Sequence, residues 1–297
     1  MAKLLLIVNP AAGMGRGERI KDEIVALYGR EGWEADVRLT QGAGDAERFA
    51  RESAAFDRVM CVGGDGTLSE TLGGLTQVED APPLCYVPMG STNDLAASAG
   101  LPKDTLEAAR LGITGEAHAI DAGLFNGRVF SYVASFGAFT RTSYDTDRAL
   151  KNRIGHLAYI LTGAQELAHI TSYAVRVETE EEEIEGEFFF GSLCNTRSLG
   201  GVLKLPLSRE DLWDGRHELL MVRKPAHITD LGGLLPALLM RRFDHPLLVY
   251  RHVRRAVFHM PEPLPWSLDG ERADAGLRVE MGNFAAAYRL MLPKDGK

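Results

Sequence analysis

The sequence has only three cysteines, no Cys-x-x-Cys pair and no apolar run long enough to cross a bilayer. Cys61, Cys85 and Cys194 each lie within or beside an apolar run, the placement of buried thiols in a reducing compartment rather than of a disulfide framework. The eight histidines show no metal-ligand spacing. The longest uncharged apolar stretch, residues 231–240, falls well short of the roughly 20 residues a membrane helix needs. Residues 1–8 contain one lysine and a short apolar run before Asn9-Pro10, too brief for the core of a signal peptide. A cytoplasmic chain is expected, with no transmembrane segment and any membrane contact peripheral. Basic residues are in deficit: 33 Lys and Arg stand against 41 Asp and Glu, a net charge of -8, so no nucleic-acid partner is expected. There is no internal repeat and no low-complexity segment.

What is present is core material and a strict rhythm. At 297 residues, 45% hydrophobic and 25% charged, the chain can build two domains or one large one. Leu4-Leu5-Leu6-Ile7-Val8 is a continuous apolar run of strand length, as in a sheet covered on both faces. A glycine-rich loop follows, and then Ile20, Ile24, Leu27 and Tyr28 at helical spacing. The alternation repeats: strand 35–39, helix 45–54, strand 58–62, a helix with Leu68, Leu72 and Leu75 on one face, and strand 84–87. Alternation of this kind predicts a doubly wound parallel sheet whose ligands bind beyond the carboxyl ends of the strands.

From about residue 119 the rhythm changes. Strands 120–125 and 129–134 flank Asn126-Gly127, a hairpin turn pair. A helix over 153–168 follows, with Ile154, Leu157, Leu161 and Leu167 on one side. Strand-like runs then dominate, at 173–177, 187–194, 218–222, 247–250, 253–259, 278–281 and 287–292, which suggests an antiparallel sandwich or barrel. The expected division is therefore an α/β domain over 1–119 and a β-sandwich domain over 120–297, with room for the last strand to pack back on the first. The acidic run Glu180 to Glu183 reads as a solvated hairpin tip.

Three loops end the first-domain strands. Asn9-Pro10-Ala11-Ala12-Gly13-Met14-Gly15-Arg16-Gly17 approaches a dinucleotide fingerprint but lacks its third glycine and lacks the Gly-Lys-Ser/Thr ending of a P-loop. Gly63-Gly64-Asp65-Gly66-Thr67 brings backbone unhindered by Cβ atoms to a strand end. Amide groups there favour an anion whereas Asp65 alone repels one, so a cation bridging carboxylate and phosphate reconciles the two. The plainer explanation is a strand-to-helix turn with Asp65 or Thr67 as helix N-cap. The third loop is Pro88-Met89-Gly90-Ser91-Thr92-Asn93-Asp94.

Taken together and in order, these loops resemble the catalytic domain of the diacylglycerol kinase and sphingosine kinase superfamily, and within it the soluble bacterial lipid kinases. The likeness continues through Ile120-Asp121-Ala122-Gly123, Asp211-Leu212-Trp213-Asp214-Gly215 and Trp266-Ser267-Leu268-Asp269-Gly270-Glu271, and so spans the chain. It implies an ATP-binding α/β domain similar to those of phosphofructokinases and NAD kinases, a β-sandwich domain after it, and an active site in the cleft between them. By motif position it assigns Asn9, Thr40, Gly63, Gly64, Asp65, Gly66, Thr67, Gly90, Thr92 and Asn93 to the nucleotide, with Asp65 also on magnesium. It links Asp94 and Asp121 to the catalytic magnesium through water. Asp211, Asp214 and the backbone carbonyl of Arg216 match a second, structural magnesium site. In Asp269-Gly270-Glu271, Glu271 is favoured as the base that activates the lipid hydroxyl, with Asp269 beside it.

The reaction implied is magnesium-dependent transfer of the ATP γ-phosphate to a lipid hydroxyl, on diacylglycerol, phosphatidylglycerol or a sphingoid base. An NAD kinase-like enzyme and a catalytically silent nucleotide- or lipid-binding module are the alternatives. Converging acids favour a metal, because uncompensated like charges in one site carry a cost on the order of several kcal/mol. Individual residues keep simpler explanations. Asp214-Gly215 and Asp269-Gly270 are turn pairs, and Asp94 can be a surface acid in the first turn of a helix. Leu231, Leu234, Leu235, Leu238 and Leu239 before Arg241-Arg242, with Arg251, His252, Arg254 and Arg255 following, suit either a bilayer-docking face or a core-packed helix with charged ends. The oligomeric state is left between monomer and homodimer.

Overall fold

The computed structural model describes residues 1–137, 171–199, 203–231 and 233–294, so the helix expected over 153–168 lies outside the described residues. The chain forms two compact units: Met1–Ala122 with Ser208–Asp214 and Phe284–Lys297, and Gly123–Leu207 with Gly215–Asn283.

The first unit is the parallel α/β arrangement that the rhythm predicts. β1 (Ala2–Val8) leads through a short turn, α1 (Ala12–Gly15), into α2 (Gly17–Arg30), followed by β2 (Trp33–Leu39), α3 (Asp45–Arg51), β3 (Arg58–Gly63) and α4 (Asp65–Leu75). β4 (Leu84–Pro88), α5 (Asp94–Ala99) and α6 (Thr105–Thr114) complete the series. β1 pairs in parallel with β2 and β3, and β3 with β4, giving the order β2-β1-β3-β4. Leu4 to Val8 are fully buried, as a strand covered on both faces requires. α2 presents Ile20, Ile24, Leu27 and Tyr28 to the core, while α6 begins where the Asp104 carboxylate accepts from the Leu106 and Glu107 amides. Cys61 and Cys85 are buried among these strands, and desolvation pushes each thiol up to about 12, which keeps both unreactive.

The register explains the position of the loops. Val8 pairs with Val62 and with Leu39, Val62 with Val87, and Gly63 with Pro88, so four adjacent strand ends release their loops at one edge.

The second unit is antiparallel. Its strands are β6 (Arg128–Phe130), β7 (Val133–Gly137), β8 (Tyr173–Thr179), β9 (Glu183–Cys194), the short β10 (Ser198–Leu199) and β11 (Leu203–Lys204), and β12 (His217–Arg223). They continue with α7 (Leu234–Leu239), β13 (Leu248–Val253), β14 (Arg255–His259), β15 (Pro265–Leu268), β16 (Glu271–Asp274) and the opening of β17 (Arg278–Leu292), together with the end of β5 (Glu116–Phe125). β9 organises the unit, pairing with β8 and β7 in turn along one side and with β12 on the other. Alternation along β12 and β13 separates two cores: Leu219, Met221, Val249 and Val253 face one, Leu220, Val222 and Leu248 the other. The larger core centres on Trp266, whose ring lies 4.9 Å from Phe136 and 5.3 Å from both Phe125 and Phe258. Leu234 and Leu238 of α7 are buried in the second core, whereas Leu239 and Met240 are exposed.

Several sequence expectations are corrected by long-range pairing. The arm expected over 129–134 is broken at Ser131-Tyr132, because those amides are taken by the Asp269 carboxylate instead of a strand partner. The strands expected at 278–281 and 287–292 are one, bent at Ala286, which has φ 50° and donates its amide to Asp121. Val253 closes β13 rather than opening β14. The acidic tip is exposed yet engaged: Glu180 accepts from the Arg254 amide at 2.8 Å, Glu182 binds Arg251, and Glu181 lies 3.9 Å from Arg216. Burial alone would raise the Glu180 carboxyl, but the amides of Arg254 and Arg255 outweigh it and hold the group below the ordinary glutamate range. Hydrogen bonds from Lys224 and Ser172 do the same at Glu187.

A depressed carboxyl stabilises the fold above its unfolded pKa, near ~4.3 for glutamate, and that contribution fades as pH falls toward the folded value. Wild type is therefore expected to melt higher than Glu180→Gln/Glu187→Gln at pH 6, with the gap closing by pH 3. A gap in Tm that persists unchanged at pH 3 would contradict this assignment.

Candidate active site

At the strand edge of the first unit, two loops are fastened by one carboxylate. Asp65 Oδ2 accepts from Thr92 Oγ1 at 2.7 Å and from the Asn93 amide at 3.0 Å, and Oδ1 accepts from the Asp94 amide at 3.1 Å. Asn93 adopts the left-handed conformation, φ 48°, and its side-chain amide closes a ring on Gly90, accepting from the Gly90 nitrogen and donating to its carbonyl, both at 2.8 Å. The first loop joins the same assembly. Gly13 donates to the Met89 carbonyl at 2.9 Å, the Met89 amide donates to Gly63, and Asn9 Nδ2 donates to Thr67 Oγ1 at 3.2 Å.

The glycines divide by what surrounds them. A Cβ on Gly90 would meet Gly64 Cα at 2.7 Å and Asn93 Oδ1 at 2.8 Å, and one on Gly63 would meet Thr67 at 2.6 Å. These glycines are required by the packing of the loops. A Cβ on Gly66 would meet nothing within 4 Å: the first turn of α4 faces open space there. Gly64, in extended conformation, is the N-cap of α4, so Asp65 and Thr67 are first-turn residues and neither caps it. An uncapped helix N-terminus beside open space is receptive to an anion.

Thr40 follows β2 and donates its amide to the Val8 carbonyl at 2.9 Å. The adjoining turn is tied by Asp45, whose Oδ2 accepts from the Gln41 and Gly42 amides, and the Arg48 hydrogen bond chiefly holds the Asp45 carboxyl low. Asp94 is fully buried at the start of α5, which overturns its reading as a surface acid. Asp121, 4% exposed, accepts from the Ala286 amide at 2.8 Å. Asp211 accepts from the Ser208 amide at 2.5 Å, and Asp214 is exposed at the end of a 3-10 turn, Glu210–Trp213. Among the described residues no group of three or more His, Cys, Asp or Glu side chains is gathered to hold a metal by itself.

In the second unit, Asp269 and Gly270 have φ values of 51° and 93°, the two left-handed central residues of the β15–β16 hairpin. The turn reading of this pair is therefore right, but the aspartate does more. Its carboxylate, 5% exposed, accepts four bonds: Ser131 N at 2.6 Å, Ser131 Oγ at 2.8 Å, Tyr132 N at 3.0 Å and Val133 N at 3.1 Å. That saturation makes Asp269 an anchor. Glu271 opens β16, half exposed, with Arg128 Nη2 at 3.6 Å from its carboxylate. The Arg216 carbonyl accepts from His217 Nδ1 at 2.8 Å, which fixes that proton on Nδ1.

Three residues important to this geometry have no motif to announce them. Tyr86 donates toward Gly63 O and Asn93 Oδ1 from inside an apolar strand, Met89 acts through its backbone alone, and Ser131 sits in an unremarkable run. A phenol two residues before a strand-ending proline is the one available clue.

Fold and site define a class: a parallel α/β unit with a glycine-lined cradle at its strand ends, and an antiparallel β unit displaying a carboxylate-anchored turn. Residues 3–125 match the family model of the diacylglycerol kinase catalytic domain. A diacylglycerol kinase of Bacillus subtilis (strain 168) is 31% identical over 99% of this chain and 98% of its own length. One from Staphylococcus carnosus (strain TM300) is 31% identical over 98% and 95%. A solved structure of a diacylglycerol kinase from Bacillus anthracis str. Sterne shares the fold, with TM-score 0.77 and 20% identity over 98% of this chain and 97% of that one. The chain belongs to the diacylglycerol kinase family, a family of lipid kinases.

Three substitutions test the geometry through stability. Asp269→Ala leaves buried amides without acceptors and is expected to cost about 3 kcal/mol in urea unfolding. Gly90→Ala is expected to cost about 1–3 kcal/mol by overpacking, whereas Gly66→Ala should stay within about 0.5 kcal/mol of wild type. Equal effects of the two glycine changes would contradict the packing described.

Proposed function

We propose that the protein transfers the γ-phosphate of ATP to the hydroxyl of a lipid, either diacylglycerol, phosphatidylglycerol or a sphingoid base, with magnesium. The observation that carries this reading is the open face of Gly66 in the first turn of α4, beside glycines the protein itself needs. Phosphate oxygens suit that helix N-terminus, where Gly66 itself contributes no side chain.

Asn9, Thr40, Gly63, Gly64, Gly66 and Thr67 would line the nucleotide. Thr92, Asn93 and Gly90 would act by holding the loop that Asp65 fastens. Asp65, Asp94 and Asp121 fit magnesium as donors, since this ion needs only one or two carboxylates beside phosphate oxygens and water. Asp211 and Asp214 would serve a structural magnesium together with the Arg216 carbonyl. Magnesium, when bound, would offset the negative charge of the transferred phosphoryl group. Glu271 is exposed enough to reach a substrate hydroxyl and accepts its proton as attack proceeds. Asp269 holds the hairpin from which Glu271 projects. Leu239 and Met240, exposed beside Arg241 and Arg242, support a peripheral contact with an anionic bilayer.

Incubation with labelled ATP, magnesium and mixed micelles of diacylglycerol, phosphatidylglycerol, sphingosine or ceramide should label a lipid. Label on none of them, and on NAD instead, would sink the proposal. Glu271→Gln is expected to lower kcat by at least 100-fold with ATP affinity within about twofold, the range a removed general base spans. Weakened ATP binding with normal turnover would remove Glu271 from the role. Gly66→Ala, neutral for stability, should weaken ATP binding.

A further inference from the structure

A second candidate ligand site lies wholly within the antiparallel unit. A cavity of about 400 Å³ is lined by Arg254, Arg255, Arg278, Glu280, Asn126 and Asn283, with glycine and apolar neighbours. Three arginines and Glu280 line it, and the Glu180 carboxylate stands beside them on the Arg254 and Arg255 amides, which leaves a local excess of one positive charge in a protein whose net charge is -8. The cluster is held in place. Glu280 accepts from Arg255 Nε and from Arg278 Nη2, both at 2.9 Å, using one oxygen for each. Glu280 is itself fixed by Asn126, which exchanges two bonds of 2.8 Å with its backbone. The pinned guanidiniums keep further N–H donors, and Arg254 has no ion pair among the described residues. Its backbone is fixed independently: the amide donates to Glu180 and the carbonyl accepts from Asn283 at 3.1 Å.

A fold needing only to stabilise this hairpin would match Glu280 with one arginine. Two guanidiniums held on one glutamate, with Arg254 also lining a space large enough for a small molecule, match the charge and donor geometry of a phosphate group. We propose that this cavity binds a phosphate monoester. A monoester presents three terminal acceptor oxygens to these N–H donors, whereas a diester presents two. None of the lining residues is among those assigned to phosphoryl transfer, so this site stands or falls apart from the kinase reading.

Calorimetric titration with glycerol 3-phosphate, against wild type, Arg254→Gln/Arg278→Gln and Gly66→Ala, tests it. Binding is expected in wild type, unchanged in Gly66→Ala and at least tenfold weaker in the arginine variant, with Tm confirming that each variant is folded. The diester glycerophosphoglycerol should bind more weakly than the monoester. Sedimentation with phosphatidylcholine vesicles, with and without phosphatidate, identifies the source. Arginine-dependent capture by phosphatidate assigns a lipid headgroup, and binding of the soluble ester alone assigns a free metabolite. Equal binding by wild type and the arginine variant, or loss in Gly66→Ala, would overturn the proposal.

Discussion

The first unit depends on the three hydrogen bonds that the Asp65 carboxylate accepts from residues 92–94. β3 and β4 are neighbours in a parallel sheet, and nothing in the ladder itself determines how their outgoing loops are arranged. A carboxylate at the start of α4 does so, because it is short, doubly accepting and favoured by the dipole of the helix it opens. Once it is in place, Gly64 and Gly90 must approach to a separation that no Cβ permits, and Asn93 must turn left-handed to present its amide. The loop sequence follows from that one geometric demand.

The antiparallel unit repeats the device. Asp269 gathers three successive amides and a hydroxyl from residues 131–133, more than a hundred residues earlier in the chain. A buried carboxylate is costly unless each oxygen is satisfied, and here both are satisfied twice. The result is a break between β6 and β7 and a rigid β15–β16 hairpin. Glu271, two residues beyond Asp269, is half exposed, and its one ion pair among the described residues is with Arg128, at 3.6 Å. One acid is therefore spent on structure, which leaves the other accessible.

Much of this was legible in the sequence. Continuous apolar runs marked the buried parallel strands, Asn126-Gly127 marked a hairpin that pairs Phe125 with Arg128, and small residues marked the loops at the strand ends. Cysteines in apolar runs proved to be buried thiols. The features that escaped share one cause: their partners are remote in the chain. Asp94 reads as a first-turn surface acid until its burial is known, and the tip at Glu180 reads as solvated until Arg251, Arg254 and Arg216 are brought to it. Tyr86 looks like core and is also a hydrogen-bond donor toward the Gly63 carbonyl at the end of the neighbouring strand.

The sequence by itself determined the class of each unit, since periods of 3.6 and 2 residues are local and survive without knowledge of partners. It also determined the chemistry available at the loops, because glycine, aspartate and asparagine at strand ends restrict what the backbone can do. Only the tertiary structure decided which acids are bound up and which are accessible, and joined 278–281 to 287–292 in one strand bent where Ala286 meets Asp121. It alone brought Arg255 and Arg278 onto Glu280, with Arg254 lining the same cavity. Hydrogen bonds between residues far apart in sequence decide such questions, and periodicity carries no information about them.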